Sequence, residues 1–122
     1  MARILIVDDE SAVRQVVRKA LQQDGHEVIE AEDGEAALRL CSDHPVDLAI
    51  TDLFMPVMDG LQLIVQLREQ SADTKFIAIS GSVYERRPRF LEIAGRMEAV
   101  VTLAKPFTVE ELRTVVRESL GQ

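Results

Sequence analysis

The sequence predicts an α/β fold: a five-stranded parallel sheet of order 2-1-3-4-5, doubly wound by helices into a (βα)5 three-layer sandwich. Three observations predict it. Short, β-rich apolar runs alternate with segments of helical period along the chain. Residues that start and stop helices fall at the seams between them. The second run is the most polar, which suits an edge, whereas the first, third and fourth are apolar enough to be covered on both faces.

The elements follow in order. Ile4–Val7 is the first strand, and Ser11 stands where an N-cap belongs. Val13, Val16, Val17, Ala20 and Leu21 fall at helical spacing and form one stripe, which Gly25 ends. His26–Ala31 is the polar second strand. Asp33 opens the second helix, on which Cys41 lies near Ala37 and Leu38 as a small packing residue. Val46–Ile50 is the third strand; Asp59 caps the third helix, with Gly60 beside it as a turn residue. Phe76–Ile79 is the fourth strand. Pro88 suits the first turn of a fourth helix carrying Phe90, Ile93, Ala94 and Met97. Ala99–Leu103 is the fifth strand, and Thr102 within it suits the other edge. Thr108 and Glu111 read as a capping box for a fifth helix with Leu112, Val115, Val116 and Leu120 inward and Gly121 at its end.

Composition narrows the function. The 122 residues suffice for one domain, taken here as residues 1–122. Apolar residues make up 47% and charged residues 29%, a globular composition. A net charge of −7 argues against binding nucleic acid or an anionic membrane. Cys41 stands alone, which excludes an intrachain disulfide and a cysteine zinc site. The opening MARILIVDDE has too short an apolar run for a signal peptide, and no run approaches the roughly 20 residues of a membrane span. A cytoplasmic location is expected. His26 and His44 have no metal-ligand spacing and read as surface residues, and Met55 and Met58 read as loop-lining residues.

In this strand order the ligand crevice lies beyond the carboxyl ends of strands 1 and 3. Those ends read Val7-Asp8-Asp9-Glu10 and Ile50-Thr51-Asp52, so Asp8, Asp9 and Asp52 converge. Two carboxylates about 4 Å apart repel by roughly 4 kcal/mol at an effective dielectric near 20. Folding has no use for that repulsion, but a hard divalent cation such as Mg²⁺ would relieve it. Ser80 closes strand 4 and Lys105 closes strand 5, at the same crevice. The set has a chemical logic: a carboxylate nucleophile, a cation to offset phosphate charge, and a lysine and a hydroxyl to hold transferred oxygens.

At this point the chain resembles the receiver domain of bacterial two-component response regulators, of the chemotaxis-regulator type. The matching blocks are ILIVDDE, TDLFMPVMDG, IAISGS and AKPF, in order and spanning essentially the whole chain. The resemblance implies a flavodoxin-like fold. It implies that Asp52 accepts a phosphoryl group from a phosphohistidine of a histidine kinase or histidine phosphotransfer protein. Asp8, Asp9, Asp52 and the backbone carbonyl of Phe54 would bind Mg²⁺. Ser80 would be the switch hydroxyl and Lys105 the phosphoryl contact, with Lys105-Pro106 commonly cis in this family. Phosphorylation would then alter the surface of the fourth helix, fifth strand and fifth helix for a downstream protein target or output domain. The chain would be a switch that assists its own phosphorylation and dephosphorylation, not a turnover enzyme.

Three departures from the family's pattern fall in the output half. Thr102 replaces the aromatic expected three residues before Lys105, the stretch from Ser80 to Lys105 is longer than expected, and Glu98-Ala99 replaces a Gly-Ala pair. The missing aromatic keeps open an alternative, a pseudo-receiver that docks proteins without phosphorylation. A phosphohydrolase of the haloacid dehalogenase type would need a second acid where Phe54 stands. The Glu85-Arg86-Arg87-Pro88-Arg89 cluster reads as a solvated loop or a docking patch.

Overall fold

The first four runs pair as parallel strands because a helix between successive runs returns the chain to the same edge of the sheet, and the fifth run pairs parallel to the fourth. The computed structural model describes residues 1–55, 58–80 and 96–121. Within them lie β1 (Arg3–Val7), α1 (Ser11–Gln23), β2 (Glu27–Ala31), α2 (Gly34–Asp43), β3 (Leu48–Asp52), α3 (Gly60–Gln70), β4 (Lys75–Ser80), β5 (Val100–Ala104) and α4 (Val109–Ser119). The strand order is β2-β1-β3-β4-β5, as expected, with the polar strand and the threonine-bearing strand at the two edges. The helix expected after Pro88, the basic cluster and Pro56 lie outside the described residues. Helix α4 is the one expected from Thr108.

Strand alternation splits the core into two layers. Ile4 and Ile6 face α1 and α4, joining Val17, Leu21, Leu48, Ile50, Leu112 and Val116. Leu5 and Val7 face α2 and α3, joining Ala37, Ala49, Leu63, Ile64, Leu67 and Phe76. Each fully buried side chain of this size contributes about 1.5–3 kcal/mol through the surface it removes from water. Cys41 packs against the second layer, and burial pushes its thiol pKa up. Met55, Met58 and Met97 pack there too.

The helix ends mostly follow the expected chemistry. The Asp33 carboxylate accepts from the Ala36 N–H at 2.8 Å. Asp59 with Gln62, and Thr108 with Glu111, form reciprocal capping boxes. Gly25 and Gly121 have φ of +87° and +76°, the left-handed geometry that ends a helix. Ser11 is a correction: it is the first helical residue of α1, and Glu10 occupies the cap position without a side-chain cap bond. The acidic turn ahead of α1 is committed to other partners, described below. Val16 is also a correction, being 53% exposed. The buried stripe of α1 is the narrower Val17, Ala20 and Leu21 because the helix covers the β2–β1 end of the sheet with one face only. His26 is half-buried rather than a free surface residue; its Nδ1 accepts from the Ala2 N–H at 3.1 Å.

Candidate functional site

The register of the sheet sets where the polar residues meet. β1 and β3 are neighbours, with Val7 opposite Thr51, so Asp8 and Asp52 emerge side by side at the carboxyl edge. The Asp8 N–H still donates to the Ala31 carbonyl of β2 at 3.3 Å, which ties the first acid to the sheet. Asp52 is the last residue of β3 and pairs with Ile79, so Ser80 stands one position beyond it on β4. Ser80 pairs with Ala104, and the Lys105 N–H donates to the Ser80 carbonyl at 3.0 Å. The Lys105-Pro106 peptide is cis.

The lysine closes the site. Lys105 Nζ lies 3.0 Å from Asp52 Oδ2 and 3.3 Å from Asp8 Oδ2. Glu10 Oε1 is farther, at 3.8 Å. Asp8 is 1% exposed, Asp52 5% and Ser80 3%. Two buried carboxylates therefore share one ammonium, an arrangement with surplus negative charge. The remaining oxygens are held by backbone: the Glu10 N–H donates to Asp8 Oδ1 and the Phe54 N–H to Asp52 Oδ1, both at 2.9 Å.

Burial is the largest influence on Asp8 and raises its carboxyl pKa. The Glu10 N–H and the Lys105 charge oppose that rise, while the Asp52 charge adds to it. For Lys105, burial acts to lower the pKa, but hydrogen bonding to Asp52 and the charges of Asp52 and Asp8 together outweigh it and leave the ammonium above its ordinary value. The lysine thus stays charged between the two acids.

Carboxylate oxygens of Asp8, Asp9 and Glu10 lie within 4.8 Å of one another. Asp9 and Glu10 are exposed, so the cluster opens to solvent on one side and is anchored by buried Asp8 on the other. The donors are all hard oxygens, the set that suits Mg²⁺ better than a softer metal. Of the residues singled out in the sequence, Asp8, Asp52 and Lys105 are in direct contact. Asp9 joins through the cluster, Phe54 through its backbone N–H to Asp52 rather than its carbonyl, and Ser80 by register alone.

Gly60 has a role that a turn residue does not explain. A Cβ on it would lie 2.4 Å from the Asp52 carbonyl oxygen and 2.8 Å from Leu53 Cα. The Gly60 N–H donates to the Leu53 carbonyl at 3.0 Å. The first turn of α3 thus presses directly on the backbone that carries Asp52, and only a residue without a side chain permits that approach. Sequence reasoning also passed over Arg14 and Glu30, which lie behind Asp8. The one signal for them is a charged residue on β2 in phase with buried Val28.

Comparison with known proteins gives the family and the fold. The model of the response regulator receiver domain matches residues 4–117. The chain is 38% identical over 121 residues to the sensor kinase CckA of Brucella abortus (strain 2308), covering 98% of this chain and 12% of that protein. It is 38% identical over 122 residues to the response regulator MprA of Mycobacterium sp. (strain KMS), covering 97% of this chain and 50% of that protein. The chain therefore spans half or less of these relatives' length. Among solved structures, the Vibrio cholerae chemotaxis protein CheY4 superposes with a TM-score of 0.86 at 32% identity, covering 98% of this chain and 99% of that one. A response regulator receiver domain protein from Clostridium thermocellum gives 0.89 at 26%, covering 99% and 95%. No helix among the described residues is long and apolar enough to cross a membrane. By sequence and by strand order, the chain belongs to the response regulator receiver domain family.

Proposed function

We propose that residues 1–122 act as one phosphoacceptor switch in a two-component phosphorelay, with Asp52 as the acceptor. The observation that carries this reading is the contact of one ammonium with two buried carboxylates, Lys105 with Asp52 at 3.0 Å and with Asp8 at 3.3 Å. In the reaction, an Asp52 carboxylate oxygen bonds to phosphorus while the phosphorus–nitrogen bond of a phosphohistidine breaks. The electron pair stays on the imidazole nitrogen, which then takes a proton. Asp8, Asp9, Asp52 and the Phe54 carbonyl would hold Mg²⁺, whose charge offsets that of the incoming phosphoryl oxygens. Lys105 follows the developing charge on one oxygen, and the Ser80 hydroxyl donates to another.

Phosphorylation turns a singly charged acid into a dianionic group with three acceptor oxygens. That change favours a conformation in which Ser80 is drawn toward Asp52 and the surface around β5 and α4 is altered for a downstream protein or output domain. The partner on the input side is a histidine kinase or a histidine phosphotransfer protein. The setting is the cytoplasm, and the chain assists its own phosphorylation and dephosphorylation without turning over an external substrate. Beryllofluoride, a stable phosphoryl mimic, tests the reading by ¹⁹F NMR. One bound mimic that requires Mg²⁺ and is lost in Asp52→Asn supports it; a folded chain that binds no mimic at saturating Mg²⁺ contradicts it.

A further inference from the structure

Strand β2 carries a charge where alternation calls for an apolar side chain. Val28 and Glu30 lie on one face of the strand, the face that packs against α1, opposite Ile4 and Ile6 of β1. Val28 is buried among the core residues of that layer. Glu30, at the next position in phase, meets two arginines one helical turn apart on α1. Its Oε1 lies 3.3 Å from Arg14 Nε and its Oε2 lies 2.6 Å from Arg18 Nη1. The side chains of Arg14 and Glu30 are only 17% and 23% exposed, so this pair is more strongly coupled than an ordinary surface ion pair.

Arg14 uses its planar fork in two directions. While Nε faces Glu30, Nη1 donates to the backbone carbonyl of Asp8. That carbonyl belongs to the peptide joining Asp8 to Asp9. Asp8 is then fixed at every acceptor it has: Oδ1 by the Glu10 N–H, Oδ2 by Lys105, and its carbonyl by Arg14. The Asp9 carboxylate accepts no hydrogen bond among the described residues. It is carried by the residue that follows the peptide whose carbonyl Arg14 holds.

We infer that Arg14, oriented by Glu30, is a positioning residue that fixes the Asp8–Asp9 peptide and thereby aims the exposed Asp9 carboxylate at the cation site. The inference rests on the phosphoacceptor reading for its Mg²⁺ readout, but the backbone order it describes exists without the metal. Arginine suits both contacts because its Nε and Nη1 donate from separate nitrogens of one planar fork, whereas a lysine donates from one nitrogen only. Glu30 offsets the Arg14 charge, so the guanidinium holds the loop with reduced repulsion of a nearby cation.

The two roles open to Arg14 predict opposite signs. If it acted only as a nearby positive charge, Arg14→Gln would bind Mg²⁺ more tightly than wild type. As a positioning residue, its loss weakens Mg²⁺ binding by about tenfold, the scale seen when an outer partner of a metal ligand is removed. Calorimetric titration of the full chain with Mg²⁺ reads this directly. Phosphoryl uptake from a small phosphodonor should then require more Mg²⁺ in Arg14→Gln, with the maximal rate at saturating Mg²⁺ little changed. Arg14→Lys should restore part of the affinity. Glu30→Gln leaves Arg14 in place but removes its holder; because losing that charge alone also weakens cation binding, its decisive readout, if Arg14→Gln fails to fold, is backbone order rather than affinity.

A second readout needs no metal. Amide hydrogen exchange at Glu10, whose N–H is bonded to Asp8, should speed up in Arg14→Gln and Glu30→Gln while the β1 amides stay protected. Unchanged or tighter Mg²⁺ binding in folded Arg14→Gln overturns the inference, as does unchanged exchange at Glu10. A wild-type chain that binds no Mg²⁺ overturns the phosphoacceptor reading instead, and the exchange measurement still decides the role of Arg14.

Discussion

The two ends of the same sheet solve opposite problems. At the amino end, polar groups pair one for one. The Arg3 N–H donates to Asp47 Oδ2 at 2.8 Å, and the Asp47 N–H returns the bond to the Arg3 carbonyl at 2.9 Å. The Lys75 N–H donates to the Asp47 carbonyl at 3.1 Å, and Thr74 Oγ1 donates to the Val46 carbonyl at 2.8 Å. At the carboxyl end, two buried carboxylates share one lysine. The amino end is a latch with its hydrogen bonds made. The carboxyl end is left short of positive charge, and the proposed binding of a cation and a phosphoryl group rests on that shortage.

Crowding the carboxyl end should have the largest effect. Gly60→Ala drives a methyl group into the Asp52 and Leu53 backbone and should destabilise the chain by about 2–3 kcal/mol. Denaturant midpoints measure the loss, and phosphoryl uptake by Asp52 should fall with it. A midpoint equal to wild type would mean that α3 does not press on the acceptor strand.

Removing charge from the same end should do the reverse. Asp8→Asn relieves a buried carboxylate and should stabilise the metal-free chain by about 1 kcal/mol at neutral pH, while abolishing Mg²⁺ binding. Burial raises the Asp8 pKa above its ordinary 3.8, so the folded chain holds that proton more tightly than the unfolded chain. The stability that the proton supplies is present in acid and is lost as pH rises from 3.8 through the raised value. The gap in Tm between Asp8→Asn and wild type, measured in chelator, should therefore widen from acid toward neutrality. A gap that narrows would contradict the account.

Two smaller effects lie nearer the amino end. Ala99, just ahead of β5, has φ of +62°, a left-handed geometry that disfavours any residue with a Cβ. Its carbonyl accepts from the Phe76 N–H at 3.0 Å, so the conformation is tied into the sheet. Ala99→Gly should raise stability by about 1 kcal/mol and leave phosphoryl uptake unchanged. Asp47→Ala removes one exposed hydrogen bond of the latch and should cost about 0.5–1 kcal/mol, again without effect on the acceptor. Thermal melts paired with uptake assays separate these stability effects from function.

Much of this contrast is legible in the sequence because it follows from periodicity. The run Ile4–Val7 and the acids after it fix where β1 stops, and the same holds for β3 and Asp52. A strand order with β1 and β3 adjacent then brings Asp8 and Asp52 together without any knowledge of side-chain geometry. Capping pairs such as Thr108 with Glu111 are local and were equally readable. What pattern reading passes over is three-dimensional. The polarity of β2 is readable as an edge signal, but Glu30 owes its place to Arg14 and Arg18 on a different element. The reason for Gly60 lies across space, in the Asp52 carbonyl. Ser11 has the chemistry of a cap, yet the chain reaches helical geometry one residue earlier than a Ser11 cap requires.

Surplus negative charge at the carboxyl end is proposed to make Asp52 a Mg²⁺-dependent phosphoacceptor. Intact mass spectrometry after incubation with a small phosphodonor, with and without Mg²⁺, tests it most directly. The account predicts a single added phosphoryl group that requires Mg²⁺, maps to Asp52 and is absent in Asp52→Asn. An adduct that persists in Asp52→Asn, or a folded chain that gains no phosphoryl group at saturating Mg²⁺ and binds no phosphoryl mimic, would contradict it.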